Sequence, residues 1–284
     1  MKKYDLILLG GDGFIGNHFY LKYKHKISIF RVGKKIGDLK KKNTWKKIPK
    51  AKNLLNLASR VFVPNSWNEI DLFIDNNVKI TLNSLAYCKI NNVKNIYISS
   101  YLYGNCNIPT KESEVVKINN PYSLSKKMGE DLCKFYSEYQ KVSSLILRPF
   151  NIYGPNQDKR FLIPSIINQV NKKKIIINDI RPARDLLYVD DFCELLFKSL
   201  NFKNKFSIYN VGSGHSYSVK EIINNLKNII KKKDIKIVNL KKSRQNEILK
   251  TQADIKKVCK NFNWKPKTKL TYGLKKIINE KSSY

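Results

Sequence analysis

The sequence has no closely paired cysteines and no long apolar run. Its five cysteines are odd in number and widely spaced, with no CxxC pair, which argues against a disulfide framework or a zinc site and favours reduced thiols. No stretch approaches the roughly 20 apolar residues of a membrane-spanning helix. The run from Leu6 to Leu9 is also too short for the core of a signal peptide. We therefore expect a soluble, cytoplasmic protein with no membrane partner.

Acidic residues are scarce, 22 against 55 basic ones, which gives a net charge of +33. Such a charge ordinarily indicates a nucleic-acid or membrane partner. Only seven of the basic residues are arginine, however, and the lysines are scattered through every segment among many asparagines and isoleucines. No arginine–aromatic cluster marks a nucleic-acid-binding element. We attribute the charge to compositional bias and expect no specific nucleic-acid partner.

The first half of the chain alternates short apolar runs with helical patterns. Candidate strands are 4–9, 27–30, 54–57, 95–99 and 144–147, and candidate helices are 78–88 and 121–140. This alternation predicts an α/β fold, a Rossmann-like doubly wound parallel sheet with right-handed crossovers. After about residue 150 the elements become shorter and mixed. We expect a dinucleotide-binding domain over 1–150 and a smaller mixed α/β substrate-binding lobe over 151–284. The segment 184–215 is a candidate to fold back into the dinucleotide-binding domain.

Gly10, Gly13 and Gly16 form a GxxGxxG pattern between the first strand and the first helix, with Phe14 and Ile15 inside it. Glycines in this context allow a tight turn, close approach to a pyrophosphate and helix-to-strand packing. The pattern predicts a dinucleotide site, although a glycine-rich connecting turn would look the same.

Arg31 follows the second predicted strand, which we expect to end at Phe30. Dinucleotide folds that prefer NAD place a carboxylate there for the ribose hydroxyls. A cation favours a 2'-phosphate instead, so the sequence predicts NADP as the cofactor, with NAD as second choice. The alternative is a solvated arginine in a lysine-rich chain.

Tyr122 and Lys126 are spaced one helical turn apart, directly after Asn120 and Pro121, which are typical of a helix start. An ammonium beside a phenol lowers the pKa of the phenol, so Tyr122 is a candidate acid/base near neutral pH. By spacing alone, a solvated pair on a surface helix remains open.

Further motifs follow in order along the chain. They are LNLAS at 55–59, Asn77-Val78, SSYLYG at 99–104, LRPFNIYGP at 147–155, RDLLYVDD at 184–191, YNVGSG at 209–214 and NWKP at 263–266. Together with the glycine turn and the Tyr-Lys pair, they resemble the extended short-chain dehydrogenase/reductases, specifically the nucleotide-sugar epimerase, dehydratase and reductase group. The resemblance covers nearly the whole chain.

The resemblance implies roles for individual residues. Ser99, five residues before Gly104, would hydrogen-bond the reacting oxygen, Tyr122 would be the acid/base, and Lys126 would bind the nicotinamide ribose. The cofactor contacts that it adds to the glycine turn are Leu57, Ala58 and Pro149. Its substrate contacts are Ser100, Asn151, Arg184 and Arg244, the two arginines on the diphosphate. Arg184 could instead form a salt bridge with Asp185, Asp190 or Asp191.

One departure from the family narrows the reaction. Members that dehydrate the sugar usually have an Asp-Glu pair after the catalytic hydroxyl, where this chain has Ser100 and Tyr101. We therefore expect an NADPH-dependent reductase acting at C4 of a nucleoside-diphosphate 4-keto-6-deoxy sugar, with an NAD-dependent 4-epimerase as the alternative. A non-catalytic dinucleotide-binding or RNA-binding protein would be expected to lose Ser99, Tyr122 or Lys126. The resemblance also implies a homodimer through the helices near 78–90 and 121–140.

Overall fold

A computed structural model gives the structure and describes residues 4–232, 234–243 and 246–282. Arg244, a predicted substrate contact, lies outside the described residues. The chain forms two compact units. The first contains residues 4–104, 115–149 and 193–210, and the second contains 105–114, 150–192 and the described residues from 211 onward. The assignment of 1–150 to the dinucleotide and 151–284 to the substrate stays a prediction.

Strands and helices alternate along much of the chain. The strands are β1 (Tyr4–Leu9), β2 (Ile29–Val32), β3 (Ala51–Asn56), β4 (Lys94–Ile98), β5 (Ser144–Pro149), β6 (Asn151–Tyr153), β7 (Lys174–Ile177), β8 (Ala183–Tyr188), β9 (Phe206–Val211), β10 (Ser216–Ser218) and β11 (Lys236–Asn239). The helices are α1 (Phe14–Tyr23), α2 (Lys42–Trp45), α3 (Val63–Ser66), α4 (Ile70–Asn91), α5 (Pro121–Tyr139), α6 (Leu162–Ile167), α7 (Val189–Ser199), α8 (Val219–Ile229), α9 (Lys256–Phe262) and α10 (Leu270–Ser282).

The central sheet is parallel and has the strand order β2-β1-β3-β4-β5-β9. Its strands are continuous apolar runs because both faces are covered; Leu6, Leu8, Leu54 and Leu55 are all fully buried. The chain goes outward from β1 to β2 and then returns past β1 to β3, so the strand order reverses between β1 and β3. This reversal is where open α/β sheets bind their ligands. The predicted Rossmann-like fold is confirmed.

The strand β2 ends later than the sequence predicts. Its register with β1 continues to the pairs Leu8 with Arg31 and Leu9 with Val32. The amide of Gly11 also donates to the carbonyl of Val32, at 3.1 Å. The prediction of a strand ending at Phe30 was therefore wrong, since backbone pairing carries β2 past the apolar residues and includes Arg31.

The helix α5 begins where its capping signals predict. The Asn120 side chain accepts a hydrogen bond from the amide of Ser123, at 2.8 Å, and Pro121 occupies the first helical position. The helix packs against α4 along its length. This start fixes which faces of α5 carry Tyr122 and Lys126.

The second unit contains a three-stranded sheet, β10-β8-β6, and a two-stranded sheet, β11-β7. Its buried Asp185 accepts hydrogen bonds from the amides of Ser213, Gly214 and Ala253, which ties β8 to two later segments. Within the ranges described above, no helix is long and apolar enough to cross a membrane. The same ranges hold no group of three or more His, Cys, Asp or Glu residues suited to a metal ion.

Candidate active site

The glycine turn after β1 is possible only without side chains. Gly10 has φ of +73°, and a Cβ there would lie 2.9 Å from the backbone nitrogen of Ala58. A Cβ on Gly16 would overlap the carbonyl oxygen of Gly10. The amide of Leu57 donates to the carbonyl of Leu9, at 3.1 Å. The turn and the segment after β3 therefore meet at the point where the strand order reverses.

The helix α1 begins at Phe14 directly after this turn. Its N-cap is Gly13, which has no side chain to satisfy the first amide groups of the helix. Unsatisfied amides and the positive end of the helix dipole favour an anion at this position. A turn closed to side chains and a helix start of this kind fit the pyrophosphate of a dinucleotide.

The guanidinium of Arg31 lies over the glycine turn. Its Nε donates to the carbonyl of Gly11 at 3.1 Å, and one terminal nitrogen is 3.0 Å from an Asp12 carboxylate oxygen. Asn17 accepts from the same nitrogen at 3.2 Å, and the ring of Tyr20 lies 4.8 Å below the guanidinium. Arg31 is thus fixed beside the turn, but a carboxylate that the sequence motifs did not single out shares its charge.

Tyr122 lies at the start of α5 and is half-buried. Burial raises the pKa of its phenol to about 12, and a hydrogen bond with the Ser100 side chain opposes that rise. The ring of Phe73 packs edge-on against it, with centroids 6.3 Å apart. The expected lowering of the Tyr122 pKa by Lys126 was therefore wrong for this structure, because burial of the phenol raises that pKa.

The two serines after β4 differ in their contacts. The Ser100 hydroxyl donates to the carbonyl of Tyr101, at 3.4 Å, and it also lowers the pKa of the Tyr122 phenol. The hydroxyl of Ser99 is buried and has no hydrogen-bond partner among the described residues. The strand ends at Ile98, so the position of each hydroxyl is set by the backbone beyond it. The catalytic role of Ser99 and the substrate contact of Ser100 stay predictions.

Lys126 lies one turn further along α5, with only 3 % of its surface exposed. Its ammonium nitrogen is 4.5 Å from the ring centroid of Tyr97, which comes from β4. Burial lowers the pKa of Lys126 to about 7. Tyr97 was not predicted as part of the site. Its position two residues before Ser99 was the available signal, since alternate residues of a strand share a face.

Asn77 connects the segment after β3 to the start of α5. Its side-chain carbonyl accepts from the amide of Arg60 at 2.8 Å, and its Nδ2 donates to the Ser125 hydroxyl at 2.9 Å. The Ser125 hydroxyl in turn donates to the carbonyl of Tyr122, at 2.7 Å. This buried amide holds the segment that follows Ala58 against the helix that carries Tyr122.

A second buried cation anchors the other side of α5. The guanidinium of Arg148, on β5, donates to both carboxylate oxygens of Glu130, at 2.8 and 2.6 Å. It also donates to the hydroxyl of Tyr103 at 2.6 Å, and that hydroxyl donates to the side-chain carbonyl of Asn210 at 2.7 Å. Four separate segments of the first unit are thereby held together around one charge pair.

The second unit carries two of the predicted substrate contacts, Asn151 on β6 and Arg184 on β8. The Asn151 amide donates to the carbonyl of Asp185, at 3.3 Å. The Arg184 guanidinium donates to the carbonyl of Ile248 at 2.6 Å and pairs with the carboxylate of Glu247. This carboxylate belongs to none of the nearby aspartates that the sequence suggested as partners. Pro149, a predicted cofactor contact, is the buried last residue of β5 in the first unit. All these roles stay predictions.

Comparison with known proteins supports the same assignment of the fold. Residues 6–212 match the NAD dependent epimerase/dehydratase family. A UDP-glucuronate 4-epimerase of Thermodesulfobacterium geofontis is 30% identical over 233 residues, covering 80% of this chain and 71% of the relative. A GDP-6-deoxy-D-mannose reductase of Pseudomonas aeruginosa is 26% identical over 300 residues, covering 97% of this chain and 96% of the relative.

Among solved structures, RMD from Pseudomonas aeruginosa, complexed with NADPH, superposes with a TM-score of 0.88. It is 24% identical, and the match covers 100% of this chain and 99% of that one. Family and fold agree with the glycine turn, the central sheet and the Tyr-Lys pair described above. The chain belongs to the NAD dependent epimerase/dehydratase family and is an NAD(P)-dependent nucleotide-sugar enzyme of the short-chain dehydrogenase/reductase type.

Proposed function

We propose that this enzyme is an NADPH-dependent reductase acting at C4 of a 4-keto-6-deoxy sugar that is linked to a nucleoside diphosphate. The observation that carries the proposal is the position of Arg31, whose guanidinium is fixed over the glycine turn. A 2'-phosphate on the adenosine ribose is the feature that separates NADP from NAD, and a guanidinium suits phosphate oxygens. The GDP-6-deoxy-D-mannose reductase relative and the NADPH complex of RMD support this direction.

The dinucleotide would be held by the first unit. The proposed contacts are Gly10, Gly13, Phe14, Ile15 and Gly16 for the pyrophosphate, Arg31 for the 2'-phosphate, and Leu57, Ala58, Lys126 and Pro149 along the rest of the cofactor. When bound, the nicotinamide supplies the hydride that reduces the sugar carbonyl. Cofactor binding by the first unit is itself testable with the protein alone.

Tyr122 would give its proton to the carbonyl oxygen as that oxygen is reduced. Because its pKa is raised to about 12, the phenol is protonated at neutral pH, which is the form that a proton donor needs. Ser99, whose buried hydroxyl has no hydrogen-bond partner among the described residues, would donate a hydrogen bond to the same oxygen, and Ser100 would contact the substrate. Lys126 would bind the ribose and supply positive charge beside the phenol.

Asn151, Arg184 and Arg244 are the proposed contacts of the nucleotide-sugar. Arg184 already bonds to Glu247 and to the carbonyl of Ile248. A diphosphate would therefore have to replace or share that carboxylate, which makes the strength of substrate binding sensitive to salt.

Replacing Tyr122 with Phe tests the assignment. We expect NADPH to bind with nearly unchanged affinity, measured by calorimetry, while reduction of a nucleoside-diphosphate 4-keto-6-deoxy sugar falls by at least about a hundredfold. The control is Tyr139→Phe, which changes an exposed tyrosine on the same helix. Substantial activity in the Tyr122 variant would remove Tyr122 as the proton donor.

An NAD-dependent nucleotide-sugar 4-epimerase is the second candidate. The Asp12 carboxylate beside the turn favours it, since a carboxylate there can accept hydrogen bonds from ribose hydroxyls and repels a 2'-phosphate. The UDP-glucuronate 4-epimerase relative also favours it. Extraction of the dinucleotide from purified protein separates the two: tightly retained NAD with no net consumption of cofactor supports the epimerase, and stoichiometric oxidation of NADPH supports the reductase.

The exposed face of α5 supports a homodimer. Leu124, Phe135 and Tyr139 are 39, 50 and 68 % exposed and recur at helical spacing, which forms an apolar stripe on a surface helix. We expect sedimentation at micromolar concentration to give a dimer that Phe135→Glu dissociates. Leu21→Glu, at an exposed apolar position on α1, is the matched control. A monomeric wild type would remove the dimer.

A further inference from the structure

Lys126 is a buried cation whose ammonium lies over an aromatic ring. Its ammonium nitrogen lies 4.5 Å from the centroid of the Tyr97 ring, and the two residues are 3 and 1 % exposed. A cation at this distance over a ring face is attracted by the negative face of the π-system, and the attraction grows as water is removed. Because both residues are buried, the attraction between the Lys126 ammonium and the Tyr97 ring is strong at this position.

The ring of Tyr97 is fixed against α5 at two further points. Its hydroxyl donates to the carbonyl of Lys126, at 3.3 Å. On the other side, the ring occupies the space that a side chain at position 129 would fill, because a Cβ on Gly129 would overlap the Tyr97 hydroxyl. The backbone of the helix and the ammonium of its lysine thus share a single support.

The other ionisable groups near Lys126 compensate its charge less directly. On α5 these are Tyr122, Glu130 and Cys133, and β4 contributes Tyr97. Glu130 interacts with Lys126 through space and raises its pKa, but both of its carboxylate oxygens bond to Arg148 of β5. Among the residues that the structure describes, no carboxylate lies within ion-pair distance of the ammonium. The ring is the direct contact.

We propose that Tyr97 is a positioning residue, whose ring face keeps the Lys126 ammonium charged and in place for the ribose of the dinucleotide. The proposal rests on the function proposed above only for the identity of that ligand. Hydride transfer itself is not assigned to Tyr97.

The direction of the effect follows from two opposing influences. Burial lowers the pKa of Lys126 to about 7, whereas a ring face favours the charged form and raises it. Weakening the ring should therefore lower the pKa of Lys126 further. When the pH is raised, the ammonium would then lose its proton, and the protein its affinity for the dinucleotide, at a lower pH than in wild type.

The test replaces Tyr97 with phenylalanine and then with phenylalanines carrying one, two and three ring fluorines, which withdraw charge from the face while keeping the shape. The dissociation constants of NADPH and NADH are measured by calorimetry between pH 6 and 9. We expect Tyr97→Phe to stay within about 0.3 pH unit of wild type and the trifluoro variant to move the midpoint down by about 0.5 to 1 unit. Thermal unfolding of each variant shows that the fold is retained.

A midpoint that does not move with fluorination, in variants that unfold at the wild-type temperature, overturns the proposal. If wild type binds neither dinucleotide, the proposed function fails but Tyr97 can still be tested. Trace acetylation of Lys126 as a function of pH, read by mass spectrometry, then reports its ionisation directly. An acetylation midpoint that falls stepwise with fluorination supports the role of the ring, and an unchanged midpoint refutes it.

Discussion

Lys126 and Arg148 carry buried positive charges on adjoining elements of the first unit, at 3 and 4 % exposure, and they are compensated in opposite ways. Arg148 has both oxygens of the Glu130 carboxylate and a tyrosine hydroxyl as partners, and Glu130 raises its pKa above the ordinary value. Lys126 has a ring face, and burial lowers its pKa to about 7. A buried charge that is paired with a carboxylate, as in Arg148, holds elements together. A buried charge without a carboxylate partner in the part of the chain that the structure describes, as in Lys126, is available for a ligand.

The largest effect is expected from breaking the buried ion pair between Arg148 and Glu130. Arg148→Met leaves the Glu130 carboxylate buried without a partner, which should lower the free energy of unfolding by about 3–5 kcal/mol. Chemical denaturation at neutral pH measures it. The double variant Arg148→Met with Glu130→Leu should recover most of the loss, because it removes both charges. A double variant as unstable as the single one would contradict this account.

Removing the Lys126 ammonium, which has no carboxylate partner among the described residues, should raise the free energy of unfolding. The folded pKa of Lys126 is about 7 and the unfolded value is 10.5, so the unfolded state binds more protons between these values and stability rises with pH across that window. Lys126→Met removes this dependence, because the cost of burying the ammonium is complete only below about pH 7. At low pH we expect the free energy of unfolding of the variant to exceed that of wild type by about 1.4 kcal/mol for each unit by which burial lowers the Lys126 pKa. Near pH 10 the two free energies should be nearly equal.

The matched control for this prediction is Lys127→Met. Lys127 is the next residue on α5, and its ammonium pairs with Asp131 at 2.6 Å on the exposed face of the helix. Its removal should leave the pH dependence of unfolding nearly unchanged. If both variants show the same profile, burial of Lys126 does not determine the stability of the protein between pH 7 and 10.

The smallest effect is expected at Arg31, a partly exposed cation whose carboxylate partner, Asp12, is still more exposed. Asp12→Asn removes the carboxylate 3.0 Å from the guanidinium and leaves its contacts with Gly11 and Tyr20. We expect affinity for NADPH to rise about two- to fivefold relative to NADH, because an exposed charge pair contributes little. The ratio of dissociation constants measures it, and an unchanged ratio would show that Asp12 has no part in cofactor choice.

The sequence predicts the elements that local signals define and leaves open those that depend on burial. Asn120 and Pro121 locate the start of α5 because capping is a local interaction. The same sequence leads to the wrong direction for the Tyr122 pKa, because spacing reveals the neighbouring lysine but not the exclusion of water. The partner of Arg184, Glu247, comes from a distant segment that no local pattern connects to it.

The serines illustrate a finer limit. A motif fixes how many residues separate Ser99 from Gly104, but the strand ends at Ile98, and the backbone beyond it decides where each hydroxyl lies. The Tyr97 contact depends similarly on the register between β4 and α5. Strand periodicity predicts the shared face of Tyr97 and Ser99, whereas the helix residue opposite them follows only from tertiary packing.

The space under Gly129 has a consequence for the redesign of this enzyme. The ring of Tyr97 fills the volume that any side chain at 129 would need, so the two positions cannot be varied independently. A combinatorial library that randomises position 129 while tyrosine is kept at position 97 would recover only glycine at 129. Paired libraries, in which a smaller residue at 97 accompanies alanine at 129, are the route by which an alternative packing of β4 against α5 could be found.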